Sequence, residues 1–202
     1  MIGINMDNNM KTKIFIGLTG RMGSGKGEVV KILEKMGFKY ISLSDIVREE
    51  IAKRIPGGRH VSRADTQDIG NRLRKEGGPG VLGKRVRQKI ESLDVERWVI
   101  DGIRNPAEVI ELQKLEGFFL LGLDATLSLI LERIKSRKRG TDVEDDDVLL
   151  AHLEREWGEG EPEGGQQVGK CMAMADYTIE NNSSLDDLKI DVMKILAGLN
   201  IF

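Results

Sequence analysis

Cysteine is almost missing from this chain of 202 residues: Cys171 is the only one. A lone thiol excludes an intramolecular disulfide and a cysteine-cluster metal site, so the expected compartment is a reducing cytoplasm. Long apolar runs are missing too. The strongest, Phe118 to Leu123, falls far short of the ~20 residues that cross a bilayer, so no membrane partner is expected. Residues 1–10 contain no basic residue and no apolar block of signal-peptide length; residues 1–12 read as a flexible leader. Neither sign of charge dominates, with 31 Lys plus Arg against 33 Asp plus Glu and a formal net charge of −2. That balance argues against a broad nucleic-acid surface. Aromatics make up only 4%, yet 40% hydrophobic and 32% charged residues give the composition of a globular chain.

Glycine is in excess, at 24 residues or about 12% against a usual ~7%. The length suits one compact domain, residues 13–202, large enough to bury roughly 70% of its unfolded surface. Ile14, Phe15, Ile16 and Leu18 form a short apolar run that stops at the glycine cluster Gly20 to Gly27. Val29, Val30, Ile32, Leu33 and Met36 then recur at helical spacing and end at Gly37. Further strands are expected at Tyr40 to Leu43, Trp98 to Ile100, Phe118 to Leu123 and Tyr177 to Ile179. Ser44 is the expected N-cap of the next helix, and Asn105-Pro106 an N-cap and first-turn pair. Helices are expected near 62–76, 81–91, 126–138, 148–157 and 185–199, the stretch 158–169 reads as a glycine-rich loop, and the acidic run 142–147 as a helix start. Strands alternating with helices predict a five-stranded, mostly parallel sheet covered on both faces, the α/β three-layer αβα architecture, with ligands bound beyond the strands' carboxyl ends.

Gly20-Arg-Met-Gly-Ser-Gly-Lys26 carries the fixed spacing of a phosphate-binding loop. Glycines let successive N–H groups turn inward around an anion, and the positive end of the following helix meets the same point. Gly20, Met22, Gly23, Ser24, Gly25, Lys26, Gly27 and Glu28 are therefore the candidate nucleotide-binding residues, with Lys26 reaching the outer phosphates. Gly27 stands where the common pattern has a Mg²⁺-binding hydroxyl. The ion must then rely on phosphates, water and a carboxylate from another strand, and Asp101, ending an apolar strand, is the candidate, acting through water. His60 and His152 lack partners at metal-ligand spacing.

Glycine directly after the lysine resembles the loop of the adenylate-kinase group of nucleoside monophosphate kinases, which use ATP and Mg²⁺. Ser44-Asp45-Ile46-Val47-Arg48 resembles that group's second-strand exit, where the arginine grips the acceptor phosphate. Asp101-Gly102-Ile103-Arg104 is similar to its third-strand Asp-Gly-x-x-Arg stretch, and Arg133 and Arg137 to the arginines opening its lid. Gly17 to Gly20 and Ala175 to Asn182 also resemble dephospho-coenzyme A kinases. The closest overall similarity is to a group of adenylate-kinase-like proteins sharing Gly-Ser-Gly-Lys-Gly-Glu, Asp-Gly-Ile-Arg and an Arg-x-x-x-Arg lid. The resemblance spans residues 13–199 and implies a P-loop kinase fold with acceptor-binding helices over about 44–91 and a short lid over about 133–157.

Phosphoryl transfer needs phosphates in line, dense positive charge and exclusion of water. Lys26, Asp101, Arg104, Arg133 and Arg137 are the candidate catalytic residues, although Arg133 and Arg137 also read as a solvated helix face. Asp45, Arg48, Gln67, Asn71, Arg74, Arg104 and Arg155 are candidates for the acceptor side. Gln67, Asn71 and Arg74 recur at helical spacing and can share a groove, where the amides could read a base edge; Arg155 reads equally as a lid-exit arginine or a surface charge. The expectation is transfer from Mg-ATP to a small-molecule acceptor, a nucleoside or deoxynucleoside monophosphate. The alternatives are dephospho-coenzyme A as acceptor, or a nucleotide-binding regulatory module without transfer, which Glu28 beside the phosphates and the short lid would suit.

Overall fold

The computed structural model describes residues 13–54, 63–136, 145–199 and 201. The leader and Arg137 lie outside the described residues. Five strands, β1 (Ile14–Thr19), β2 (Lys39–Ser42), β3 (Arg97–Asp101), β4 (Phe118–Asp124) and β5 (Tyr177–Glu180), form one sheet in the order β2-β3-β1-β4-β5. Every pairing is parallel. A central strand in such a sheet is covered on both faces, which is why β1 is a continuous apolar run, all of it buried.

Helices α1 (Lys26–Lys35) and α9 (Leu185–Gly198) cover one face, where Val29, Leu33, Leu188 and Val192 pack with Leu18 and Leu123. The other face carries α2 (Leu43–Arg54), α3 (Arg63–Gly77), α4 (Val81–Glu91), α5 (Pro106–Leu112) and α8 (Val168–Ala173). Their core includes Val47, Leu82, Val86, Val109 and Cys171. Burial, with the nearby Glu108 charge, pushes the Cys171 thiol up to about 12 and leaves it unreactive. A smaller cluster joins α6 (Leu127–Ser136) and α7 (Asp146–Trp157) to Met22 through Ile130, Ile134, Leu149 and Leu153.

Two local expectations change. Ser44 does not cap α2, because the helix already starts at Leu43 and Ser44 donates its N–H to Ser42 Oγ at 3.1 Å. Gly169 belongs to α8 rather than to the loop, with Trp157 packed so closely that a Cβ there would lie 2.8 Å from the ring. The stretch before it is tied down: Asn71 and Arg155 each donate to Glu161 at 2.6 Å, and Asn105 Nδ2 donates to the carbonyls of Glu163 and Gly165 at 3.0 and 2.8 Å. The Asn105-Pro106 start of α5 is as expected. Asn105 accepts from Ala107 N–H, and Glu108 Oε2 closes the capping box on Asn105 N–H at 3.0 Å. Asp145 likewise caps α7 within the acidic run.

Candidate functional site

The carboxyl end of β1 delivers the chain into the glycine loop. Gly20 adopts φ 133°, and a Cβ there would sit 1.9 Å from Leu123 O, so no larger residue fits against β4. Ser24, fully buried, has its carbonyl fixed by Asn181 Nδ2 at 2.9 Å, a strut from the segment after β5. Gly25 begins α1 with no side-chain cap, leaving the helix's first amides for an anion. Lys26 Nζ folds back to donate to the carbonyls of Gly20 and Arg21 at 2.6 and 2.8 Å. Glu28 pairs with Lys31 at 2.8 Å at the exposed rim of the cleft, so its charge is balanced by a neighbouring lysine. Nothing lies within 4 Å of a Cβ built on Gly27.

The loop opens into a cleft of about 1570 Å³ whose wall includes Gly23, Gly25, Lys26, Gly27 and Glu28. Met22, Arg48, Gln67, Asp101, Arg104 and Arg133 also reach it. Asp101 ends β3 opposite Ser42 and accepts from Gly102 N–H at 2.7 Å. Arg48, 65% exposed, pairs with Asp45 in the first turn of α2. Gln67 is buried with its Oε1 unpartnered, and Arg133 keeps an unpartnered buried Nη1. These two are among the few orphaned polar atoms of the described residues, and both belong to residues of the cleft wall.

Other expected acceptor-side residues are engaged within the protein. Arg74, 3% exposed, also reaches the wall but donates through Nε to Glu108 Oε1 at 2.9 Å and through Nη1 to Asn71 Oδ1 at 3.2 Å. The Asn71 amide is thus occupied on one side by Arg74 and on the other by Glu161. Arg155 bridges Glu161 and Asp68, at 2.6 and 2.8 Å; burial opposes its charge, but these carboxylates hold its pKa above the ordinary arginine value.

Glu156 escaped the sequence reading. It is 5% exposed, accepts from Met22 N–H at 2.7 Å and pairs with Arg104 Nε at 3.1 Å. Burial disfavours its charge, yet Arg104, Lys26 and the Met22 amide hold its pKa below the usual glutamate value. Burial likewise works against the Arg104 charge and is outweighed by Glu156, Asp101 and Glu108. The available signal was helical phase, since Glu156 falls on the same buried side of α7 as Leu149 and Leu153. Next to it Trp157 packs its ring 3.9 Å from the guanidinium carbon of Arg21, which also pairs with Asp124 at 3.2 Å.

A family profile described as an AAA domain matches residues 19–150, more than half of the chain and all of the glycine loop. The UPF0200 protein of Methanothermobacter thermautotrophicus is 32% identical, the match covering 92% of this chain and 90% of that one. The chain belongs to the UPF0200 family. Among solved structures, one from Thermus thermophilus aligns with this UPF0200 chain at TM-score 0.57 and 21% identity, covering 94% of it and 99% of the other. Shikimate kinase from Aquifex aeolicus aligns at TM-score 0.54 and 16% identity, covering 93% and 99%. The fold is therefore the three-layer P-loop kinase-like α/β fold. No helix among the described residues is long and apolar enough to cross a membrane.

Proposed function

We propose that this UPF0200 chain is an ATP-dependent small-molecule kinase that transfers the γ-phosphate to a nucleoside or deoxynucleoside monophosphate. The observation that carries this reading is one cleft that holds the glycine loop and Lys26 together with Arg48, Arg104 and Arg133. Arginine forks remain charged and bind phosphate oxygens in pairs, so such a set suits two phosphate chains meeting end to end. The loop amides and Lys26 hold the β- and γ-phosphates, and Arg48 the acceptor phosphate. Arg104 and Arg133 then neutralise the charge developing between them. An acceptor oxygen forms its bond to the γ-phosphorus as the bond to the β,γ-bridging oxygen breaks and ADP leaves.

The residues present fit Mg²⁺ carried in with the nucleotide. No group of three or more His, Cys, Asp or Glu among the described residues could hold an ion alone, whereas Asp101 presents a carboxylate to the cleft and Gly27 leaves room for water beside the phosphates. When bound, the ion supplies charge neutralisation on the phosphate oxygens.

The test is ADP release from Mg-ATP across all nucleoside and deoxynucleoside monophosphates, with dephospho-coenzyme A and shikimate as further acceptors. Stimulation by at least one monophosphate, lost by a factor of 10² or more in Lys26→Ala, is the expected result. Stimulation by dephospho-coenzyme A or shikimate alone would replace the acceptor; none at all would reject the kinase reading.

A further inference from the structure

The last turn of α7 grips three parts of the molecule with three consecutive residues. Arg155 holds Asp68 of α3, Glu156 holds both Met22 of the glycine loop and Arg104 after β3, and Trp157 stacks on Arg21. Glu156 is the centre of this clasp. Its Oε2 serves the loop amide and its Oε1 the guanidinium, so a single buried carboxylate sets the spacing between the phosphate-binding loop and the arginine across the cleft.

Arg104 is constrained from its other sides as well. Its Nη1 donates to Ser44 Oγ at 3.3 Å and to Gly102 O at 3.2 Å. Its backbone N–H goes to Glu108 Oε2 at 2.9 Å, and its carbonyl accepts from Gln167 N–H at 2.6 Å. The backbone contacts fix where the arginine stands; its fork is oriented by the two Nη1 bonds together with the ion pair to Glu156, the one charged partner among the three. A carboxylate in a phosphate cleft would ordinarily repel the ligand. Here its charge is retained by Arg104, Lys26 and the Met22 amide, and it in turn cancels part of the positive charge that phosphates would meet.

We infer that Glu156 is a positioning residue, which orients Arg104 against the glycine loop at the expense of nucleotide affinity. Removing only its charge then has opposite effects on the two steps. Glu156→Gln keeps the size and an oxygen to accept from Met22, but leaves the Arg104 charge unbalanced and its Nε without the carboxylate, so the fork is held only through Nη1. Ground-state phosphate binding strengthens because an opposing charge is gone, while transfer slows because the arginine no longer faces the reacting oxygens.

The experiment measures ATP affinity by calorimetry at low and high salt, and kcat with whichever acceptor the panel above identifies, for the wild type, Glu156→Gln and Glu156→Asp. For Glu156→Gln, the expected result is ATP binding at least threefold tighter at low salt, the gain shrinking at high salt, with kcat at least tenfold lower. Glu156→Asp, which keeps the charge, should stay within threefold of the wild-type ATP affinity. A purely structural residue would lose ATP affinity, kcat and melting temperature together, and that pattern would overturn the inference, as would unchanged binding and unchanged kcat. The inference rests on the kinase reading only for its kcat arm. If the wild type phosphorylates no acceptor, that reading falls while the calorimetric arm still decides the role of Glu156.

Discussion

A methyl group added at Gly25 would lie 2.2 Å from Asn181 Nδ2, at a backbone φ of +108°. Left-handed backbone costs an L-residue roughly 1–2 kcal/mol, and here the amide that fixes the Ser24 carbonyl must also move. Two residues along, a Cβ on Gly27 meets nothing, at a helical position where Ala is favoured over Gly by about 1 kcal/mol. Gly25→Ala is therefore expected to lower the melting temperature and abolish stabilisation by ATP, whereas Gly27→Ala melts at or above the wild type. Scanning fluorimetry with and without ATP reads both, and equal melting of the two variants would contradict the geometry. The motif spacing revealed the glycines but not which of them tolerates a side chain. That difference depends on Asn181, 157 residues from Ser24 in sequence. Glu156 was hidden for a similar reason: a carboxylate beside an arginine on a polar helix reads as surface charge until its partners, Met22 and Arg104, arrive from elsewhere.

Between elements, a fully buried polar link joins α3 to the start of α5. Glu108, with no exposed surface, accepts from Arg74 through one oxygen and from the Arg104 and Asn105 amides through the other. Removing one partner of such a buried pair costs about 3–5 kcal/mol, because the remaining charge is left uncompensated. Glu108→Gln should therefore destabilise strongly in urea unfolding, and the double variant Glu108→Gln with Arg74→Met should recover part of the loss; purely additive losses would deny the coupling. The Asn105-Pro106 start and its Glu108 were legible because a capping box is a local pattern. The use of Arg74 was not. Helical spacing grouped it with Gln67 and Asn71, but of these three Gln67 is the one with an unpartnered buried oxygen. The loop before α8 was legible as a loop from its glycine and proline, but not the partners that anchor it, Asn71, Asn105 and Arg155 from elsewhere in the chain.

At the scale of the molecule, alternating apolar and amphipathic segments were enough to reveal a parallel sheet, since each β-α unit is local. Strand order was not readable, because placing β1 between β3 and β4 depends on contacts that no single segment encodes. That order aligns the glycine loop with Asp101 on one side and with the α6–α7 cluster on the other. The stacking of Trp157 on Arg21 follows from it, and it gives the chain an optical reporter of its own glycine loop. Of the two tryptophans, Trp98 lies in the core, 5% exposed, with its Nε1 donating to Val95 O at 3.2 Å, away from the cleft wall. Trp157 alone stacks on a side chain of the glycine loop, that of Arg21, whose carbonyl also holds Lys26. ATP should therefore change the intrinsic emission of the wild type and of Trp98→Phe but not of Trp157→Phe. A signal persisting in Trp157→Phe would mean that the stack does not sense the loop. Where that signal follows Trp157, phosphate occupancy can be timed by fluorescence without a label or a coupled enzyme, and before any acceptor is known.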